Sequence, residues 1–101
     1  MDSLHEERKE KITLDVSNIQ DSNELHNTLK ENFEFPDFYG MNWDAFWDAI
    51  TGLVELPKTI IFEGWDNIEE KLPTDSQTLV NIFKEFNEEY PYMECEVLYK
   101  K

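Results

Sequence analysis

Asp44, Asp48 and Thr51 recur at i, i+4 and i+7, so a helix would bring two carboxylates and a hydroxyl onto one stripe. They lie in Tyr39–Gly52, read as YGMNWDAFWDAITG. Paired carboxylates can hydrolyse glycosides, but that chemistry needs a substrate cleft that so short a chain has little room to form. No metal-ligand cluster accompanies them. What remains is a cationic partner. The helix dipole favours Asp44, in the first turn, but does little for Asp48 one turn further in. Carboxylates one turn apart also repel modestly on an isolated helix. The plainer reading is a core helix that keeps its acidic face in water.

Other reactive groups are sparse. Three glycines cannot build a phosphate loop. His5 and His26 stand alone and read as surface or capping residues. Cys95 sits in an apolar stretch and reads as a small buried hydrophobe, with no base near it to make a nucleophile. No catalytic residue, metal or cofactor is expected.

The stripe needs a helix to hold it. Gly40 is a breaker, Asn42 is a good N-cap, and Gly52 suits the position just past the last turn. Trp43, Phe46, Trp47 and Ile50 make the apolar face, centred roughly 120° from the acids. Phe38 and Tyr39 lie just upstream; Tyr39 and Trp47 read as core.

The rest of the chain supplies a scaffold. Residues 1–10 are charged and read as a flexible tail, with one domain over 11–101. Ile12, Leu14 and Val16 alternate as a strand. Leu25, Leu29 and Phe33 mark a helix over about 22–32. Thr59–Phe62 is a continuous apolar run, the mark of a strand covered on both faces. A short helix follows from Trp65, stopped by Pro73. Leu79, Ile82, Phe83 and Phe86 face inward on a longer helix whose outer side carries Glu85. A last strand is expected over Tyr92–Tyr99. The order β-α-α-β-α-α-β implies a two-layer α/β fold, with a three-stranded parallel sheet in order 1-2-3 and about four helices on one face.

Charge narrows the partners. Nine Lys and Arg face 23 Asp and Glu, a formal net charge of −14. Direct nucleic-acid binding is excluded, since phosphates must be neutralised by Lys and Arg. A basic protein partner fits. One cysteine allows no internal disulfide, which suits a reducing cytoplasm, and no run suggests a signal peptide or membrane span. A monomer is expected when free.

The stretch FYGMNWDAFWDAITGLVELP resembles the signature of the barstar family, intracellular inhibitors of barnase-type secreted ribonucleases. LHNTLKENFEFPDFYG and LVNIFKE extend the resemblance, which covers about Ile12 to Tyr99. It implies a one-to-one complex in which the focal helix and preceding loop plug a ribonuclease active site, in the role of an antitoxin or immunity protein. Asp48 matches the dominant aspartate at the phosphate site, and Asp44 a second acidic contact. Thr51 and Gly52 match contacts at the helix end, Phe38 an aromatic on the catalytic histidine, and Glu85 an acid at the rim. Gly40, Asn42 and Trp47 match the pattern at the same surface. Phe38, Met41, Trp43 and Leu53 depart from the family's residues, which bears on which ribonuclease is bound. The alternative is an acidic adaptor or nucleic-acid mimic that blocks another basic protein.

Overall fold

A computed structural model describes residues 8–101. The elements run β1 (Lys11–Asp15), α1 (Ser22–Phe33), α2 (Trp43–Gly52), β2 (Thr59–Glu63), α3 (Trp65–Lys71), α4 (Pro73–Glu89), a 3₁₀ turn (Pro91–Met93) and β3 (Glu96–Lys100). The three strands are parallel in order β1-β2-β3, so the expected α/β fold with four helices is found. Register places Ile12, Ile60 and Val97 in one row and Leu14, Phe62 and Tyr99 in the next. All six belong to the core or pack against it.

The other face of the sheet is more open than the apolar run in β2 implies. Lys11, Thr13 and Asp15 are exposed, and Ile61 is only half-buried. With helices on one face only, the run from Thr59 to Phe62 cannot be covered on both sides.

The core is aromatic. Phe46, Phe62 and Phe83 are fully buried, and Phe46 meets Phe83 edge-on with ring centroids 5.8 Å apart. Such T-shaped contacts set the ring quadrupoles favourably and fix how α2 lies against α4.

Three boundaries differ from the sequence reading. Pro73 opens α4, at a helical position where its missing N–H costs nothing. Cys95 precedes β3, buried, its N–H bonded to Asn87 Oδ1 at 2.8 Å; burial pushes its thiol up to about 12. The expected tail lies outside the described residues as far as residue 7. Arg8 is anchored: its guanidinium donates to the carbonyls of Leu56 and Pro57 at 3.0 Å. The Lys9 and Glu10 carbonyls accept from Lys58 and Thr59 N–H, so the folded body includes residues 8–10.

Candidate protein-binding site on α2 and α4

The sequence of α2 closes its own N-terminus. Asn42 Oδ1 accepts from Ala45 N–H at 2.7 Å, and its Nδ2 donates to the Gly40 carbonyl at 3.2 Å. Asn42 is thereby spent on the helix start, a common use of asparagine. Gly40 is crowded rather than contorted: an added Cβ would come within 3.3 Å of Ala45 Cβ. The left-handed residue is its neighbour Met41, at φ 59°. A non-glycine residue held there is strained, and such strain persists only where surrounding contacts impose it.

Those contacts come from beneath. His26, expected at the surface, is buried. Its Nδ1 lies 2.7 Å from the buried Tyr39 hydroxyl, which also reaches the Asn42 carbonyl at 3.4 Å. The imidazole packs on Trp43, with ring centroids 4.3 Å apart, and Trp43 Nε1 donates to Asp75 Oδ1 at 2.9 Å. One histidine thus ties α1 to the loop and to the start of α2, and Asp75 ties that start to α4.

Burial holds His26 below its ordinary pKa of 6.5, with the Asp75 carboxylate opposing. Above that value the imidazole is neutral whether folded or unfolded, and no penalty arises. As pH falls through it, the unfolded chain takes up a proton that the folded chain resists, and stability falls. Denaturant melts from about pH 7.5 to about pH 5.5 should therefore show a loss that is smaller in His26→Gln. The quantity to read is the change with pH, since the variant's absolute stability also shifts. Equal slopes in both proteins would remove His26 as the cause.

Above this support, Asp44 and Asp48 are exposed on α2 and Glu85 is exposed on α4. Together with Trp43 and Trp47 they line an open groove of 600 Å³, and α4 adds Thr78 and Ile82. Both tryptophans are half-buried. Trp47, read as core, meets buried Phe86 edge-on at 6.4 Å and also faces the groove. Among the described residues no Lys or Arg pairs with Asp44, Asp48 or Glu85; the ion pairs there engage Glu10, Glu34 and Glu69. Nor, among the described residues, does any group of three or more His, Cys, Asp or Glu stand ready for a metal. The arrangement presents acids on an aromatic floor, which suits a guanidinium or ammonium.

The other expected residues lie around this groove rather than in it. Phe38 is 75% exposed on the preceding loop. Thr51 and Gly52 line a second groove of 400 Å³ at the far end of α2. Thr51 Oγ1 donates to the Trp47 carbonyl at 2.7 Å, leaving its lone pairs for an incoming donor. Gly52 is the last helical residue, not the residue beyond it. Leu53 follows at φ −116°, and its N–H bonds back to the Ala49 carbonyl at 3.0 Å. The sequence reading missed Trp43, Thr78 and Ile82 as groove residues. The apolar spacing marked Trp43 and Ile82 only as inward-facing, and Thr78 carried no signal.

The family model described as Barstar (barnase inhibitor) matches residues 10–99. A protein of Bacillus subtilis (strain 168) named "Putative ribonuclease inhibitor YrdF" is 34% identical over 79 residues, covering 78% of this chain and 87% of that protein. With the sheet order, the four helices and this match over nearly the whole described chain, the protein belongs to the barstar family.

Proposed function

We propose that this chain inhibits a basic ribonuclease of the barnase kind, one to one, by seating α2 and the loop before it in the active site. The observation that carries the reading is the groove. Asp44, Asp48 and Glu85 line it together with Trp43 and Trp47, and among the described residues no Lys or Arg pairs with them. A ribonuclease active site is a basic groove that holds phosphates. Carboxylates at phosphate positions, and aromatics where bases would stack, are its complement. In this reading Asp48 takes the phosphate site, Asp44 and Glu85 meet flanking arginines, and exposed Phe38 packs on the catalytic histidine. Gly40, Thr51 and Gly52 complete the contact, Asn42 holds the helix start, and Trp47 serves both fold and surface. The protein acts in the cytoplasm as the antitoxin of the cell that makes the ribonuclease, and it is monomeric until it binds. Membership of a family described as barnase inhibitors and similarity to a protein named as a ribonuclease inhibitor support this.

Speed matters to such an inhibitor, and a net charge of −14 supplies long-range attraction to a basic enzyme. The association rate with barnase should fall at least about tenfold from low ionic strength to about 1 M salt, where the Debye length shrinks to about 3 Å. A rate that does not change with salt would contradict electrostatic steering.

A further inference from the structure

Among the described residues β3 has β2 as its one strand neighbour, so its other side is a sheet edge. The Glu96 N–H bonds to the Lys58 carbonyl at 2.9 Å, so Glu96, Leu98 and Lys100 turn their peptide groups toward β2. Cys95, Val97 and Tyr99 turn theirs away. Asn87 of α4 confirms the alternation: its Nδ2 and Oδ1 meet the Cys95 carbonyl and N–H, both at 2.8 Å. That amide closes the edge below Val97. Among the described residues no side chain or loop bonds to the peptide groups of Val97 and Tyr99. Both residues line an open groove of 200 Å³ with Val80, Phe83, Lys84 and Asn87, so α4 does not seal the edge.

An unpaired edge is a template for another strand, which proteins commonly blunt with a proline, a bulge or a charge. β3, read EVLYK, carries neither proline nor bulge. Val97 and Tyr99 pack against the core, which leaves Glu96, Leu98 and Lys100 on the open face of the sheet. Glu96 and Lys100 are exposed, and among the described residues no ion pair engages either. Their order makes the strand complementary to itself. Set two copies antiparallel about a two-fold axis at Leu98, and each Glu96 stands opposite the second copy's Lys100. Val97 and the second copy's Tyr99 then form a hydrogen-bonded pair, which uses the outward peptide groups of both. Half-buried Leu98 meets its own counterpart and carries the row Thr13–Ile61–Leu98 into the second sheet. A parallel approach would instead set Glu96 against Glu96 and Lys100 against Lys100.

We infer that β3 pairs antiparallel with β3 of a second copy, joining two three-stranded sheets into one. The pairing does not depend on the proposed inhibition and leaves its surface free. Thr78, Ile82 and Glu85 face the acidic groove from one side of α4, while Val80, Lys84 and Asn87 face the β3 edge from the other. Each copy can still bind its own enzyme. A five-residue edge is a small contact, and two chains of net charge −14 repel. The dilute chain therefore stays single, as proposed above, and the pair forms as the chain accumulates.

Sedimentation equilibrium of the full chain, in about 0.15 M salt to screen the repulsion, should show monomer–dimer exchange at concentrations up to about 1 mM. Glu96→Lys and Lys100→Glu should each weaken the dimer at least about fivefold, because like charges then face each other at both ends of the pair. The double variant carrying both reversals should restore it. An equimolar mixture of the two single variants should pair more tightly than either alone. The Val97 and Tyr99 amide resonances should shift with concentration. A chain that stays single throughout this range overturns the proposal. So does a dimer that both single reversals leave unchanged, since the contact then lies on another face, or one that the double reversal does not restore. If the chain stays single and those two amides move only when barnase is added, the edge belongs to the enzyme and the proposal falls.

Discussion

Asp48→Ala should all but remove inhibition of the partner ribonuclease. Asp48 is exposed and lies beside Asp44, Glu85 and the two indoles of the groove. In the proposed complex, the partner's cations leave water to meet it. Without the carboxylate they stay desolvated and unpaired. Truncating one side of such a pair costs about 2–5 kcal/mol, or roughly 30- to 5,000-fold in Kd. That is the general range for buried interfacial charge pairs, and barnase–barstar pairs are among the measurements behind it. The loss should fall mainly on k_off. Asp44→Ala and Glu85→Ala should each cost less, being placed at the flanks. A protein that blocks a basic surface by diffuse charge would behave otherwise: one acid among 23 would hardly register. Near-equal losses for Asp48, Asp44 and a remote acid such as Glu69 would favour that diffuse mode.

The largest effect on stability should come two residues earlier in the same helix. Phe46 is fully buried and touches Phe33, Phe35, Trp43 and Phe83 with ring centroids between 5.6 and 6.5 Å. Phe46→Ala leaves a cavity that so many rigid rings cannot collapse to fill, and should cost about 3–5 kcal/mol. For a domain of this size the melting temperature should drop by more than about 10 °C. Trp47→Ala should cost less than Phe46→Ala, since half-buried Trp47 already faces water on its groove side. Asp48→Asn should leave the melt unchanged or slightly raised, because it relieves repulsion in a chain of net charge −14. Thermal melts and inhibition assays on the three variants, run well below the lowest melting point, separate the helix into a face that folds and a face that binds. An Asp48→Asn protein that melts several degrees lower yet still inhibits would make Asp48 structural.

The elements were legible because their patterns are clean. Leu25, Leu29 and Phe33 give α1 its buried face, and Asp21 caps it, accepting from Glu24 N–H at 2.9 Å. The sheet order followed from crossover handedness once the order of elements was read. The acidic stripe could be read because helical spacing decides which residues share a face. Its companions across the crevice could not. Thr78 and Ile82 come from a helix about thirty residues further on, and only packing brings them to Asp44 and Trp47.

His26 misled for a related reason. A lone polar residue on an amphipathic helix reads as solvated. Its hydroxyl partner Tyr39 and its aromatic neighbour Trp43 lie 13 and 17 residues away, in a segment whose path no local signal describes. Arg8 is similar. Its charge placed it in a tail, while four carbonyls of the body, from Leu56, Pro57, Met93 and Glu94, accept its guanidinium. The loop before α2 shows the limit of reading a glycine as the breaker. Gly40 is crowded by Ala45, and the left-handed turn falls on Met41, because the Tyr39 and Asn42 bonds dictate the path.

The central claim is that α2 occupies the phosphate-binding site of a ribonuclease. The direct measurement is the association rate of this protein with barnase whose active site has been loaded to graded occupancy with a 3′-mononucleotide. A carboxylate that must enter the phosphate site cannot do so while a phosphate is there. The rate should therefore fall in proportion to the fraction of empty sites, approaching zero at saturation. An association rate that stays constant as the nucleotide saturates the enzyme, with a ternary complex formed, would contradict the account.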